Sequence, residues 1–278
     1  MKKKTENNTE KLPDWIIVNF SGGKDSTAML LRMLELNEHI DEVVCCDVGK
    51  EFPAMYRHID SVRKIVENHN IKFTLLKAEH SFDYMMFEYQ NPTAKRLNRN
   101  GLGWANSRVR WCTGYLKRDI TKRYLVVVRK THNVIECDGI AADEQLRLER
   151  KNQKQSHKRH PLVEWGWTEK DCLNYCYANS FDWEGLYEIL DRVSCWCCPL
   201  MKLENLRKIR THFPDLWKEL KDMDRRAWNQ FRIDYSVDDL DKRFALEDTR
   251  IANGLSITNK EFYTELKTIL NNGTIQND

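Results

Sequence analysis

Ser21-Gly22-Gly23-Lys24-Asp25-Ser26 gathers two glycines, a lysine, a carboxylate and two hydroxyls into six positions. It leaves the apolar run Trp15-Ile16-Ile17-Val18-Asn19-Phe20 and enters a segment whose Ala28, Met29, Leu31, Met33 and Leu34 form an apolar helical face. An anion held there would sit at a helix N-terminus, where backbone N–H groups and the positive end of the dipole favour phosphate. The paired glycines let the backbone approach phosphate oxygens with no Cβ between, and Lys24 adds a mobile positive charge. The spacing is shorter than the Walker loop requires. An ordinary glycine-rich strand-to-helix turn is the alternative.

Cysteines supply the second chemistry. Cys195 and Cys198 form a C-x-x-C pair ending at Pro199, and two thiolates at that spacing can clasp one metal centre. Cys112, far upstream, would close it from another loop, with Cys197 as the candidate fourth ligand. Spacing alone suits tetrahedral Zn²⁺ as well as an iron–sulfur cluster, and metal-free packing of the thiols is a third reading. Cys45, Cys46 and Cys137 lie in strand-like runs and read as small apolar residues, while Cys172 and Cys176, one helical turn apart, read as a half-buried helix face.

Asp25 and Asp143 are candidates to hold Mg²⁺ against phosphate oxygens, since that ion is normally bound by one or two carboxylates plus substrate phosphates. Arg110 and Arg147 can clamp a transferred or leaving phosphate bidentately, or pair with local carboxylates instead. His160, before Pro161-Leu162, reads as a turn residue rather than a base.

These groups must be positioned by alternating strands and helices. Strands are expected at Trp15–Phe20, Val43–Asp47, Lys72–Leu76 and Asn133–Ile140, and helices at Ser26–Leu36, Ala54–Asn68 and Tyr115–Lys130. Thr168 with Asp171 predicts an N-cap for a helix over Glu169–Ala178. Such alternation implies βαβ units, a parallel sheet, and ligands beyond the carboxyl ends of its strands. Lys77 to Trp111 reads as a long mobile substrate loop, and from Met201 onward the chain reads as mainly helical packing, with Leu203, Leu206 and Ile209 at helical spacing. The expected domains are a disordered basic N-terminus over 1–12, a nucleotide-binding domain with the cysteine cluster over 13–200, and a helical extension over 201–278.

The 278 residues can bury a substantial core. No apolar run approaches the ~20 residues needed to span a bilayer, and no signal region follows Met1-Lys2-Lys3-Lys4, so a cytoplasmic protein with no membrane partner is expected. Nine cysteines at that address argue for metal or redox chemistry rather than a disulfide scaffold. Net charge is only +3, which excludes a generally basic nucleic-acid binder, but positive charge is local. Lys95, Arg96, Arg99, Arg108 and Arg110 form one segment, and Arg147, Arg150, Lys151, Lys154, Lys158 and Arg159 another. Either can meet phosphates of a nucleotide or nucleic acid, or be solvated surface balanced by acids.

The Ser21–Ser26 run resembles the pyrophosphate (PP) loop of N-type ATP pyrophosphatases, enzymes that split ATP between its α and β phosphates and adenylylate a substrate. Later segments, in order, are similar to the phosphoadenosine-phosphosulfate (PAPS) reductase-like branch of that superfamily. They are Asp47-Val48-Gly49-Lys50-Glu51-Phe52-Pro53, Arg110-Trp111-Cys112-Thr113 with Leu116-Lys117, Gly139 with Asp143-Glu144 and Arg147, His160-Pro161-Leu162 with Trp165, and Cys195-Trp196-Cys197-Cys198-Pro199. The resemblance covers about residues 12 to 215. It implies an adenine-nucleotide alpha-hydrolase-like, Rossmann-like α/β fold with a parallel sheet flanked by helices and a mainly helical C-terminal extension. It also implies that Ser21, Gly22, Gly23, Lys24, Asp25, Ser26, Gly139 and Asp143 bind ATP with Mg²⁺, and that Asp47 and Gly49 contact the adenosine.

Within the branch, sulfonucleotide reductases and DNA phosphorothioation enzymes hold a [4Fe–4S] cluster with cysteines in the two regions matched here. Cluster-bearing relatives have tandem cysteines upstream, where this chain has Trp111 before Cys112. A cluster on three thiolates would leave one iron open to exogenous sulfide. Sulfonucleotide reductases also carry a nucleophilic cysteine in an E-C-G-x-H tail, and this chain has no cysteine after Cys198. The ATP sulfurylase small subunit lacks the cysteine cluster. The expected activity is adenylylation of an acceptor by ATP followed by sulfur transfer, with nucleic acid as the favoured acceptor and a cysteine desulfurase or other sulfur donor as partner. A sulfonucleotide reductase or sulfotransferase lacking the tail cysteine, and a non-catalytic nucleotide-binding subunit, are the alternatives. The oligomeric state is left open.

Overall fold

The computed structural model of the protein describes residues 12–90 and 100–272. The chain before Leu12, the segment containing Lys95, Arg96, Asn98 and Arg99, and the end from Gly273 lie outside them. The chain forms two compact units, one from residues before His80 together with Cys112–Tyr187, the other from His80–Trp111 and Glu188–Asp278.

The first unit is built on a five-stranded sheet in the order β3-β2-β1-β4-β5, parallel throughout. Its strands are β1 (Asp14–Phe20), β2 (Glu42–Asp47), β3 (Lys72–Lys77), β4 (Asn133–Asp138) and β5 (Lys158–Arg159). Val18 lies opposite Val43 on one side and Cys137 on the other, and all three are fully buried. Central parallel strands are covered on both faces, so they read as continuous apolar runs rather than alternating ones. β1 sits between β2 and β4, and chain order reverses across it. The crevice beyond the carboxyl ends of β1 and β4 is therefore where ligands of such sheets bind.

Helices α1 (Lys24–Glu35), α2 (Pro53–Asn68), α3 (Asp119–Val128) and α4 (Glu169–Ala178) connect and flank these strands. α1 buries Thr27, Ala28, Met29, Leu30 and Met33. Pro53 opens α2 at its first turn, where a missing N–H breaks no intrahelical bond. Thr168 and Asp171 form the capping box of α4, with the helix bounds the sequence predicts. Cys172 and Cys176 are the buried face of that helix.

Two elements differ from expectation. The helix expected over Tyr115–Lys130 is a π-helical turn at Gly114–Arg118 running into α3, and the chain leaves the helix when Arg129 N–H caps Leu125 C=O. β4 stops at Asp138 rather than Ile140, because Ile140 N–H turns back to Asp138 C=O.

The second unit contains α5 (Leu203–His212), α6 (Pro214–Arg226), α7 (Val237–Ala252) and α8 (Lys260–Asn272). Leu206, Ile209, Trp217, Leu220, Phe231, Leu240, Phe244 and Phe262 are buried in it, and Trp228 stays 47% exposed. The stretch from Lys77 to Trp111 is not all loop. Phe82–Phe87 is a helix capped by the Ser81 hydroxyl, which accepts Tyr84 N–H, and six residues are too few to display a helical period. Residues 101–104 are clamped by the helical part. Trp104 N–H donates to Asn229 Oδ1 (2.7 Å), its indole donates to Asp224 Oδ1 (2.9 Å), and its ring packs edge-on against Phe231. The compact unit thus takes in 80–111 and 188–200, and the boundary expected at 200/201 does not separate the two. No helix among the described residues is long and apolar enough to cross a membrane.

Candidate nucleotide-binding site

The Ser21–Ser26 turn joins the carboxyl end of β1 to the N-terminus of α1 and is organised by its own hydroxyls. Ser26 Oγ donates to Gly23 C=O (3.0 Å) and accepts from Ser21 N–H (3.1 Å), while Ser21 Oγ lies 3.0 Å from it. Gly22 has φ +80°, a conformation that strains any other residue, and a Cβ there would also push on Met55 Sδ (2.8 Å) and Ile59 Cγ1 (2.9 Å). Gly23 is the extended N-cap of α1 and offers no side-chain cap, which leaves the first-turn N–H groups to other partners. Trp183 Nε1–H donates to Gly22 C=O (2.8 Å), and the Tyr187 hydroxyl accepts from Lys24 N–H (3.0 Å).

Gly139, at the end of β4, closes the same crevice. A Cβ on it would fall 2.9 Å from both Cα and N of Ser26, closer than real Cβ contacts come. This glycine therefore permits the β4 end to lie directly against the turn.

Charge in the crevice is balanced around Lys24. Its ammonium reaches Asp25 Oδ1 at 2.8 Å and also Glu169 at the first position of α4. Burial acts to lower the Lys24 pKa, but hydrogen bonds to the two carboxylates outweigh it and the net direction is upward. Burial raises Asp25 above the ordinary carboxylate range, with Lys24 opposing. Asp143 accepts Glu169 N–H at 3.1 Å. Asp25, Lys24, Glu169 and Asp143 thus form one hydrogen-bonded chain beside the turn. Arg147 pairs with Glu144 at 2.9 Å, the local-carboxylate arrangement, and remains partly exposed.

Asp47 ends β2 and shapes its own loop. Its Oδ1 accepts Gly49 N–H (2.7 Å) and the Tyr56 hydroxyl (3.0 Å), and Lys77 approaches Oδ2 at 3.1 Å. Burial alone would raise the Asp47 pKa, but these bonds outweigh it and hold it below the usual range. Gly49 has φ +78° with open space around it, so backbone conformation rather than crowding requires the glycine.

The remaining expected residues are divided between the units. Cys112 is half-buried in the first unit. Arg110 belongs to the second and is exposed, following a turn in which Asn106 Oδ1 accepts Arg108 and Val109 N–H. Cys195, Cys197 and Cys198 are also in the second unit. Cys198 N–H donates to Cys195 C=O (3.2 Å) and Met201 N–H to Cys198 C=O (3.0 Å), so the pair lies on consecutive tight turns. Cys195 and Cys198 are half-buried and Cys197 is buried. Within each unit, no three His, Cys, Asp or Glu side chains among the described residues are gathered as a metal site would have them. The tight turn does fit half of a thiolate site, and its soft donors suit zinc or iron.

Burial pushes the thiols of Cys45, Cys137 and Cys176 up to about 12, and that of Cys172 also upward, which makes them inert packing groups. Of the basic segment after Arg147, Lys158 is held by Glu136 and Asp138, and Arg159 by Glu38 and Glu164. Arg150, Lys151 and Lys154 remain exposed.

Sequence reasoning missed Glu169, Trp183 and Tyr187. Each meets the turn from more than 140 positions away, and only the first carried any signal, as an acid in the first turn of a capped helix.

A parallel α/β unit with a glycine turn between β1 and α1, packed on the glycine that ends β4, defines a Rossmann-like fold of the PP-loop class. Residues 15–201 match the family model described as the phosphoadenosine phosphosulfate reductase domain, and the chain belongs to that family within the PP-loop superfamily. Two uncharacterized proteins of Methanocaldococcus jannaschii are similar to it. MJ0066 is 27% identical over 77% of this chain and 42% of its own length, and MJ0973 is 26% identical over 76% and 48%. The chain thus spans less than half the length of these curated relatives. Among solved structures, the U34-tRNA thiolase NcsA from Methanococcus maripaludis with its [4Fe-4S] cluster aligns over 77% of this chain and 69% of its own, at 17% identity and a TM-score of 0.40.

Proposed function

We propose that the protein is an ATP pyrophosphatase-type enzyme of the cytosol that adenylylates an acceptor, nucleic acid in this reading, for replacement of oxygen by sulfur. The observation that carries it is the Ser21–Ser26 turn at the N-terminus of α1, buttressed by Gly139 and served by Lys24. The phosphate chain of ATP lies over the amides of that turn, and Lys24 exchanges a carboxylate for a phosphate oxygen. Asp25 and Asp143 would hold Mg²⁺, whose chemistry is to neutralise phosphate charge. Two carboxylates joined through Glu169 suit an ion that takes its remaining ligands from phosphate and water.

An acceptor oxygen attacks the α-phosphorus and the α–β bond breaks, so pyrophosphate departs with the bonding pair. Positioning and charge stabilisation by the turn, Lys24 and Arg147 drive this step. A sulfide-level sulfur donor then displaces AMP, leaving sulfur where the oxygen was. The Cys195–Cys198 turn, with Cys197, supports a thiolate-held centre, an iron–sulfur cluster or zinc, which would handle that sulfur.

Incubation with ATP, Mg²⁺, sulfide and candidate acceptors tests the reading. AMP and pyrophosphate formed in step with sulfur incorporation support it. Sulfite released from a phosphosulfate nucleotide, with ATP untouched, would replace it by a reductase.

A further inference from the structure

Three successive residues beside the phosphate turn have left-handed backbone: Trp183 (φ 50°), Glu184 (φ 55°) and Gly185 (φ 79°). Two of them are not glycine, and Trp in this region is a genuine outlier. Such strain persists only where surroundings over-determine it, and it concentrates at functional sites. Here Asp182 Oδ1 accepts Glu184 N–H (2.9 Å), Asp182 C=O accepts Gly185 N–H (3.0 Å), and the Glu184 carboxylate pairs with Arg57. The Trp183 ring packs on His58 (4.5 Å between centroids) and edge-on to Tyr187 (4.8 Å).

The outcome of these contacts is the place of one hydroxyl. Tyr187 Oη accepts from Lys24 N–H at 3.0 Å and lies 3.5 Å from where a Cβ on Gly23 would be. A phenol carries one donor and can accept at the same time. Its acceptor side is engaged by the first amide of α1, and among the described residues no carbonyl or carboxylate takes its proton. Burial pushes the phenol's pKa upward, so it stays a neutral donor throughout the working range.

We propose that Tyr187 is a phosphate-binding residue: its O–H donates to an oxygen of the bound nucleotide's phosphate chain, and the strained 183–185 turn exists to aim it. This rests on the Ser21–Ser26 turn being the phosphate site. A hydroxyl anchored on the helix amide takes up the Lys24 N–H and presents its own O–H in its place, so it carries that donor outward to the phosphate chain rather than recognising adenosine.

The test is Tyr187→Phe, which keeps the ring against Trp183. Calorimetric affinities are measured for ATP, pyrophosphate, AMP and adenosine, with thermal unfolding alongside. A hydrogen bond to a charged group is worth about tenfold or more in affinity. ATP and pyrophosphate should weaken by about tenfold, while adenosine stays within about twofold. Equal weakening of all four ligands, or no change in any, overturns the proposal. Lys24→Ala is the control for the underlying reading: if it leaves pyrophosphate affinity unchanged, the phosphate site itself is misplaced and the Tyr187 proposal falls with it. Should Tyr187→Phe not fold, fluorotyrosine at 187 keeps the oxygen and makes it a stronger donor. It should tighten pyrophosphate binding at pH 6, and unchanged affinity would overturn the proposal.

Discussion

Gly139→Ala probes the joint between sheet and phosphate turn with a single methyl group. The added Cβ would stand 2.9 Å from Ser26 Cα and N and 3.2 Å from the Asp25 carbonyl carbon, where ordinary contacts begin at 3.4 Å. All three neighbours are backbone, so no side chain can swing aside. The β4 end and the turn must separate by roughly half an ångström to one ångström, an overpacking that costs about 1–3 kcal/mol. For a chain of this size that lowers Tm by roughly 2–5 °C. Function should suffer more than stability, since a displacement near 1 Å in a positioning element costs about 10²-fold in rate. Differential scanning calorimetry reads the first effect, and ATP-binding calorimetry together with the rate of AMP release on the same preparation reads the second. A variant that melts and binds ATP like the parent would refute the claim that this glycine sets the turn.

Glu169→Gln removes one of the two carboxylates holding Lys24, so magnesium-free ATP should bind a few-fold more tightly as repulsion of phosphate falls. Titration calorimetry in chelator checks this, and weaker binding would show that Glu169 aids rather than competes with phosphate. His58 is buried beside Thr27, and burial lowers its pKa from 6.5 to about 4. The unfolded chain therefore takes up the proton first, and stability falls as pH drops from about 6.5 to about 4, by at most roughly 3 kcal/mol. Below that range both states are protonated and this contribution levels off. Urea unfolding of the parent and of His58→Leu at pH 7 and pH 4.5 isolates it, because the variant should lose that part of the pH dependence. Cys195→Ser and Cys198→Ser, made singly and purified anaerobically, should each lower bound iron or zinc severalfold by elemental analysis while leaving ATP affinity unchanged. Full metal content in both variants would remove these residues from any metal centre.

Much of the fold was legible because its signals are local. The β1 run, the glycine turn and the apolar face of α1 are contiguous, and the Thr168–Asp171 capping box lies within four residues. Cys172 and Cys176 announced their burial by helical spacing. β5 was not legible. It is two charged residues, Lys158 and Arg159, whose strand character comes only from pairing with Glu136 and Cys137; their sequence left phosphate contact and balance by acids equally open, and the structure pairs both with acids. The candidate site divides in the same way. Its loop residues form a motif, whereas Glu169, Trp183 and Tyr187 arrive from distant segments that no periodicity connects to the turn. Gly139 was recognisable only through its place in an ordered set of motifs. Its physical reason, close approach to Ser26, exists only once β4 is paired beside β1.

The most direct test is a crystal structure of the protein with Mg²⁺ and an ATP analogue whose α–β bond cannot be cleaved. The account predicts phosphate density over the Ser21–Ser26 turn with Lys24 Nζ on a phosphate oxygen. Nucleotide bound elsewhere, with Lys24 still locked between Asp25 and Glu169, would contradict it.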